Sequence, residues 1–101
     1  MSEVTARIQS AIADSRICIF MKGNRNFPMC GFSAATVQIF EQLGAPYETV
    51  DVLTDPELRE EIKVYSNWPT IPQVYIDGKF IGGCDIIREL YETGELQDLV
   101  K

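Results

Sequence analysis

Cysteine is scarce in this chain of 101 residues: there are three, at positions 18, 30 and 84, an odd number with no close pair. That scarcity argues against a disulfide framework, and against a self-contained zinc or iron–sulfur site, which needs four local ligands. A metal would have to recruit ligands from outside the chain. Long apolar runs are also missing: none approaches the roughly 20 residues that a membrane span requires. No internal repeat, low-complexity tract or linker is evident, and Met1-Ser2-Glu3 is neither a basic nor an apolar signal start. A cytoplasmic location is therefore expected. Acidic residues are absent from Arg16 to Phe40, a stretch that holds Arg16, Lys22 and Arg25. Six basic and fifteen acidic residues elsewhere leave −9 there, within a net charge of −6. Broad binding to nucleic acid or an anionic membrane is disfavoured by that balance.

What is present suits one modest core. A hydrophobic content of 46% over this length predicts a single domain spanning residues 1–101. Val4, Ile8, Ala11 and Ile12 fall at helical spacing and predict a first helix ending near Asp14. Ile17 to Met21 is a continuous apolar run, as expected of a strand covered on both faces, with Cys18 as a small core hydrophobe. Lys22 to Met29 is loop chemistry. A helix is predicted from about Gly31 to Leu43, with Phe32, Ala35, Ile39 and Leu43 inward and Gly44 as its stop. Tyr47 to Val52 reads as a strand. Thr54-Asp55-Pro56-Glu57 opens the next helix, which carries Leu58, Ile62 and Tyr65 inward. Asp77-Gly78 predicts a hairpin joining antiparallel strands at Gln73–Ile76 and Lys79–Ile81. Helices near 85–93 and after Gly94, carrying Leu96, Leu99 and Val100, complete an α/β chain: a small mixed sheet flanked by helices, with one parallel crossover.

The chemistry centres on Cys30-Gly31-Phe32-Ser33. Cys30 stands at a predicted helix start, where free backbone N–H groups and the positive dipole end favour thiolate over thiol. A redox pair of the Cys-x-x-Cys kind would need a thiol at 33, where serine stands. Lys22, at the end of the first strand, is either a solvated strand end or a cation near that sulfur. In Trp68-Pro69-Thr70-Ile71-Pro72 two prolines three apart force extended backbone at Trp68 and Ile71. A cis Ile71-Pro72 bond would leave the Ile71 N–H and C=O free to pair with an extended peptide; otherwise the segment is a rigid lead-in to the hairpin. Gly82-Gly83 allows close ligand approach, and N–H groups at Cys84 and Asp85 open a helix suited to a carboxylate. Asp85 can meet an α-ammonium group, cap its helix, or both.

Taken together, Lys22-Gly23, Pro28-x-Cys30-Gly31-Phe32-Ser33, Trp68-Pro69-Thr70-Ile71-Pro72-Gln73 and Gly82-Gly83-Cys84-Asp85 resemble the single-domain monothiol glutaredoxins of the Cys-Gly-Phe-Ser class. The match covers nearly the whole chain in order and spacing. The resemblance implies a thioredoxin-like fold, a cis Ile71-Pro72 bond and a glutathione groove. In it Lys22 and Arg59 would hold the glycine carboxylate, Ile71 would pair with the cysteinyl residue, and Cys84 and Asp85 would receive the γ-glutamyl end. Lys63, one turn beyond Arg59, could do similar work.

Two functions follow from the resemblance. In the first, a [2Fe-2S] cluster bridges a homodimer: each chain gives Cys30 and each bound glutathione gives a thiolate, making the four such a cluster needs. The cluster then passes to iron–sulfur acceptor or scaffold proteins, with a BolA-like protein as a further partner. In the second, the Cys30 thiolate attacks a mixed disulfide between glutathione and a protein, and is reset by a second glutathione or by Cys84. Weak general oxidoreductase activity, typical of the class, favours the carrier.

Overall fold

The computed structural model describes residues 2–101. Helix α1 (Glu3–Asp14) starts at Ser2, whose hydroxyl accepts the Thr5 N–H. It is followed by β1 (Ile17–Met21), α2 (Gly31–Leu43), β2 (Glu48–Asp51), a 3-10 turn (Val52–Thr54), α3 (Pro56–Ser66), β3 (Gln73–Ile76), β4 (Lys79–Gly82), α4 (Cys84–Thr93) and α5 (Glu95–Leu99). The sheet order is β2-β1-β3-β4. β1 lies parallel to β2 and antiparallel to β3, and β3 and β4 form the hairpin across Asp77-Gly78.

The run at β1 is apolar throughout because alternate side chains serve two cores. Ile17, Ile19 and Met21 face Val37, Phe40, Ile87 and Leu96 of α2, α4 and α5. Cys18 and Phe20 face Val4, Ile8 and Ile12 of α1 and Leu58 and Ile62 of α3. Cys18 is 1% exposed, as its reading as a core residue requires. Burial, with Glu48 nearby, pushes its thiol from 9.0 up to about 12.

Two side chains expected inside lie outside. Phe32 is 61% exposed and Tyr65 is 39% exposed. In α2 the buried residues are Ser33, Thr36, Val37, Ile39 and Phe40: Ile39 is inward as expected and Leu43 packs against the core, but Ser33 and Thr36 take the inner positions beside Phe32 and Ala35. Two hydroxyls can occupy the inner face because both are bonded: Ser33 Oγ accepts the Lys22 N–H at 3.2 Å, and Thr36 Oγ1 donates to the Phe32 carbonyl at 2.9 Å. Hydrophobicity alone therefore misplaces Phe32 and misses Ser33 and Thr36. The second strand is also shorter than predicted. Asp51 ends it, its carboxylate accepting the Leu53 N–H at 2.9 Å to start the 3-10 turn that drops Val52 into the core.

Candidate functional site

The C-terminal ends of β1 and β2 lead to the chemistry. From Lys22 to Met29 the chain folds on itself: the Met29 N–H donates to the Lys22 carbonyl at 2.8 Å, and Asn24 and Phe27 exchange backbone bonds. The Asn24 carboxamide oxygen also accepts from the N–H groups of Asn26 and Phe27. Gly23 makes this turn possible. Its φ is +87°, and a Cβ there would lie 2.3 Å from the Phe27 carbonyl oxygen and 2.8 Å from the Met29 nitrogen. Its N–H donates to Asp51 Oδ1 at 3.0 Å, so one carboxylate ties the loop to the end of β2.

This loop delivers Cys30 as the N-cap of α2, in extended backbone with φ −155° and ψ 139°. The side chain is half-buried. No side-chain cap bond closes on its sulfur, yet the helix start still acts on it electrostatically. The Ser33 N–H is the largest influence holding the thiol below its ordinary value. Partial burial opposes it, and the Phe32 N–H, the Lys22 charge and the Ser33 hydroxyl add to the lowering. Thiolate is the reactive form, so the position is suited to nucleophilic attack and to binding soft metals.

Cationic clustering in the sequence overstates the charge at this sulfur. Arg16 sits at the opposite end of β1, bonded to Asp77 at 3.0 Å and to the carbonyls of Leu99 and Val100. Arg25 turns toward β2: it donates to the Tyr47 carbonyl, lies 4.2 Å over the Tyr47 ring and stands 3.8 Å from Glu48. Of the three, only Lys22 lines the groove beside Cys30.

That groove has a volume of about 470 Å³ and brings together all six residues singled out in the sequence: Lys22, Cys30, Arg59, Ile71, Cys84 and Asp85. Lys63 lines it too, although Glu60 holds its ammonium at 3.2 Å. Arg59 Nε is buried without a partner among the described residues. Lys22, Arg59 and Lys63 put three cationic side chains in the groove lining, a setting for an anionic ligand.

Trp68–Pro72 also lines the groove, and its Ile71-Pro72 bond is cis. The N–H and C=O of Ile71 have no backbone partner among the described residues. Gly83 packs directly beneath: a Cβ there would approach the Pro72 carbonyl oxygen to 3.1 Å and Trp68 Nε1 to 3.6 Å. Gly83 also caps α4, so the N–H groups of Cys84 and Asp85 open that helix. Cys84 is 6% exposed, and Arg88 Nη2 lies 3.6 Å from its sulfur. The Asp85 carboxylate is exposed, with Arg88 at 3.8 Å.

Sequence reasoning missed the residues that hold this wall and loop from behind. Ser33, noted only for the thiol it lacks, is fully buried and anchors Lys22. Asp51 anchors Gly23, and Gln73 anchors the proline segment. For Gln73 a cue was available, since a carboxamide at the head of an otherwise apolar strand must find partners if buried.

Comparison with known proteins agrees with this geometry. A family model described as Glutaredoxin matches residues 17–81. A Synechocystis protein named "Uncharacterized monothiol glutaredoxin ycf64-like" is 54% identical over 99 residues, covering 98% of this chain and 92% of that protein. The solution structure of reduced poplar apo GrxS14 superposes with a TM-score of 0.86 at 47% identity, covering 96% of this chain and 89% of that one. A crystal structure of a buckwheat glutaredoxin–glutathione complex gives a TM-score of 0.86 at 26% identity, covering 96% and 86%. With its thioredoxin-like sheet, its single cysteine at the α2 start and these relatives, the chain belongs to the glutaredoxin family, among the monothiol glutaredoxins.

Proposed function

We propose that this protein, acting as a single glutaredoxin domain over residues 1–101, carries a [2Fe-2S] cluster as cargo between two copies of itself, with glutathione completing the ligand set. The observation that carries the reading is one sulfur, Cys30, held toward thiolate in a groove lined by cationic side chains and carrying a free main-chain pairing point. Cys30 gives one thiolate per chain, and a [2Fe-2S] unit takes four. Two chains and two thiol peptides supply that number. Glutathione fits the groove by charge and by its main chain. Its glycine carboxylate meets Lys22 and Arg59, its cysteinyl main chain pairs with Ile71, and its γ-glutamyl end meets the Cys84 and Asp85 N–H groups and the Asp85 carboxylate. The glutathione complex of the buckwheat relative supports this occupant. Half the ligands are then exchangeable, which suits delivery to iron–sulfur acceptor or scaffold proteins, with a BolA-like protein as a further partner. The cytoplasm, where thiols stay reduced, suits this chemistry.

A second reading draws on the lowered Cys30 thiol. The thiolate attacks the glutathione sulfur of a protein mixed disulfide, the protein thiolate leaves, and Cys30 becomes glutathionylated. A second glutathione then attacks, releasing glutathione disulfide and restoring Cys30.

Anaerobic reconstitution with iron, sulfide and glutathione tests the carrier. A brown dimer is expected, its colour lost in Cys30→Ser and when glutathione is left out, but kept in Cys84→Ser. A colourless monomer refutes cluster carriage, and loss of colour in Cys84→Ser assigns the remaining ligands to Cys84 instead of glutathione.

A further inference from the structure

The Trp68–Pro72 wall of the groove is built from a segment that cannot satisfy itself. Prolines at 69 and 72 remove two N–H donors, while the carbonyls of Trp68 and Thr70 turn inward toward β3. One side chain answers both. Gln73, fully buried, donates from Nε2 to the Trp68 carbonyl at 3.1 Å and to the Thr70 carbonyl at 3.2 Å. Its Oε1 lies 3.4 Å from the Tyr75 hydroxyl, which fixes which way the carboxamide faces. The Trp68 N–H is also engaged, by the Lys63 carbonyl at 3.1 Å and by Ser66 Oγ at 3.1 Å. Within Trp68–Pro72, among the described residues, Ile71 is then the residue with both main-chain groups unengaged.

We propose that Gln73 is a positioning residue that sets the register of the bound peptide, engaging the Trp68 and Thr70 carbonyls so that an extended thiol peptide pairs at Ile71. The inference rests on the glutathione reading of the groove. Gln73 never touches the ligand. It acts by removing competing acceptors and by holding the Ile71 peptide groups toward the groove. An apolar residue of equal length would orphan two inward carbonyls, and the wall would relax to solvate them.

The test uses the full chain labelled with ¹⁵N and titrated with S-methylglutathione, which cannot form a disulfide. In the native protein the Ile71 amide resonance should shift on titration, and the Gln73 side-chain NH₂ should be protected from solvent exchange. Gln73→Met should weaken the affinity about ten-fold or more, the equivalent of one well-made buried hydrogen bond. Alkylation of Cys30 by iodoacetamide without ligand should stay within about two-fold of the native rate, because the α2 start that lowers the thiol is untouched.

Unchanged affinity in Gln73→Met overturns the proposal. Equal losses of affinity and alkylation also overturn it, since they show a general packing role. If Gln73→Met does not fold, the native protein decides: a rapidly exchanging Gln73 NH₂, or an Ile71 amide unmoved while other groove amides shift, overturns the register. A native protein that does not respond to S-methylglutathione at all refutes the groove reading itself.

Discussion

Replacing Gly23 by alanine probes the loop that presents Cys30, and Gly78 supplies the control. Both glycines are left-handed, with φ of +87° and +81°. A Cβ at Gly78 meets nothing within 4 Å, whereas one at Gly23 falls 2.3 Å from the Phe27 carbonyl oxygen and 2.8 Å from the Met29 nitrogen. Both of those neighbours are backbone atoms that cannot swing aside. Gly78→Ala should therefore cost only the left-handed penalty, about 1–2 kcal/mol. Gly23→Ala adds the displacement of packed backbone, about 1–3 kcal/mol more. Against a typical net stability of about 5–15 kcal/mol, both variants should fold. Thermal unfolding should place Gly23→Ala at least about 4 °C below Gly78→Ala. Because the displaced atoms belong to the turn whose Met29 N–H bonds the Lys22 carbonyl, iodoacetamide alkylation of Cys30 should slow in Gly23→Ala and not in Gly78→Ala. Equal melting temperatures, or equal alkylation, would refute the account of the loop as a tightly closed support for the sulfur.

Two further outcomes follow from titration. Cys30 is held toward thiolate, in part by Lys22, so Lys22→Met should slow alkylation at pH 6 more than at pH 9. Rates equal to the native protein at both values would remove Lys22 from thiolate stabilisation. Burial raises Cys18 from 9.0 to about 12 and Tyr75 from 10.0 to about 12. The unfolded chain therefore releases these protons first, and stability, fully present below pH 9, falls as pH rises toward 12. Urea titrations across that window should show the decline, and Cys18→Val should flatten its first part. A Cys18→Val profile identical to the native one would contradict the burial argument.

Element types were legible where local patterns are unambiguous. The apolar run at β1, the Asp55-Pro56 helix start and the Asp77-Gly78 turn each rest on neighbours in the chain, and each appears as expected. The inner face of α2 was legible only in part: Ile39 is buried as expected, but Ser33 and Thr36 become buried only once Lys22 N–H and the Phe32 carbonyl reach them. The end of the second strand failed similarly, since the Asp51 carboxylate that turns the chain there also serves Gly23, far away in sequence.

By itself, the sequence determined the α/β order and, through its motifs, the family; residue type and spacing singled out Lys22, Cys30, Ile71, Cys84 and Asp85, and the resemblance added Arg59 to the groove. Only the tertiary structure decided which charges act at Cys30. Arg16 and Arg25 share its stretch of chain, but hydrogen bonds and ring stacking draw them to other partners, leaving Lys22 beside the sulfur. It also decided what supports the groove wall. Whether a buried carboxamide such as Gln73 is a burden or a staple depends on the carbonyls that folding turns toward it, and no local pattern records their direction.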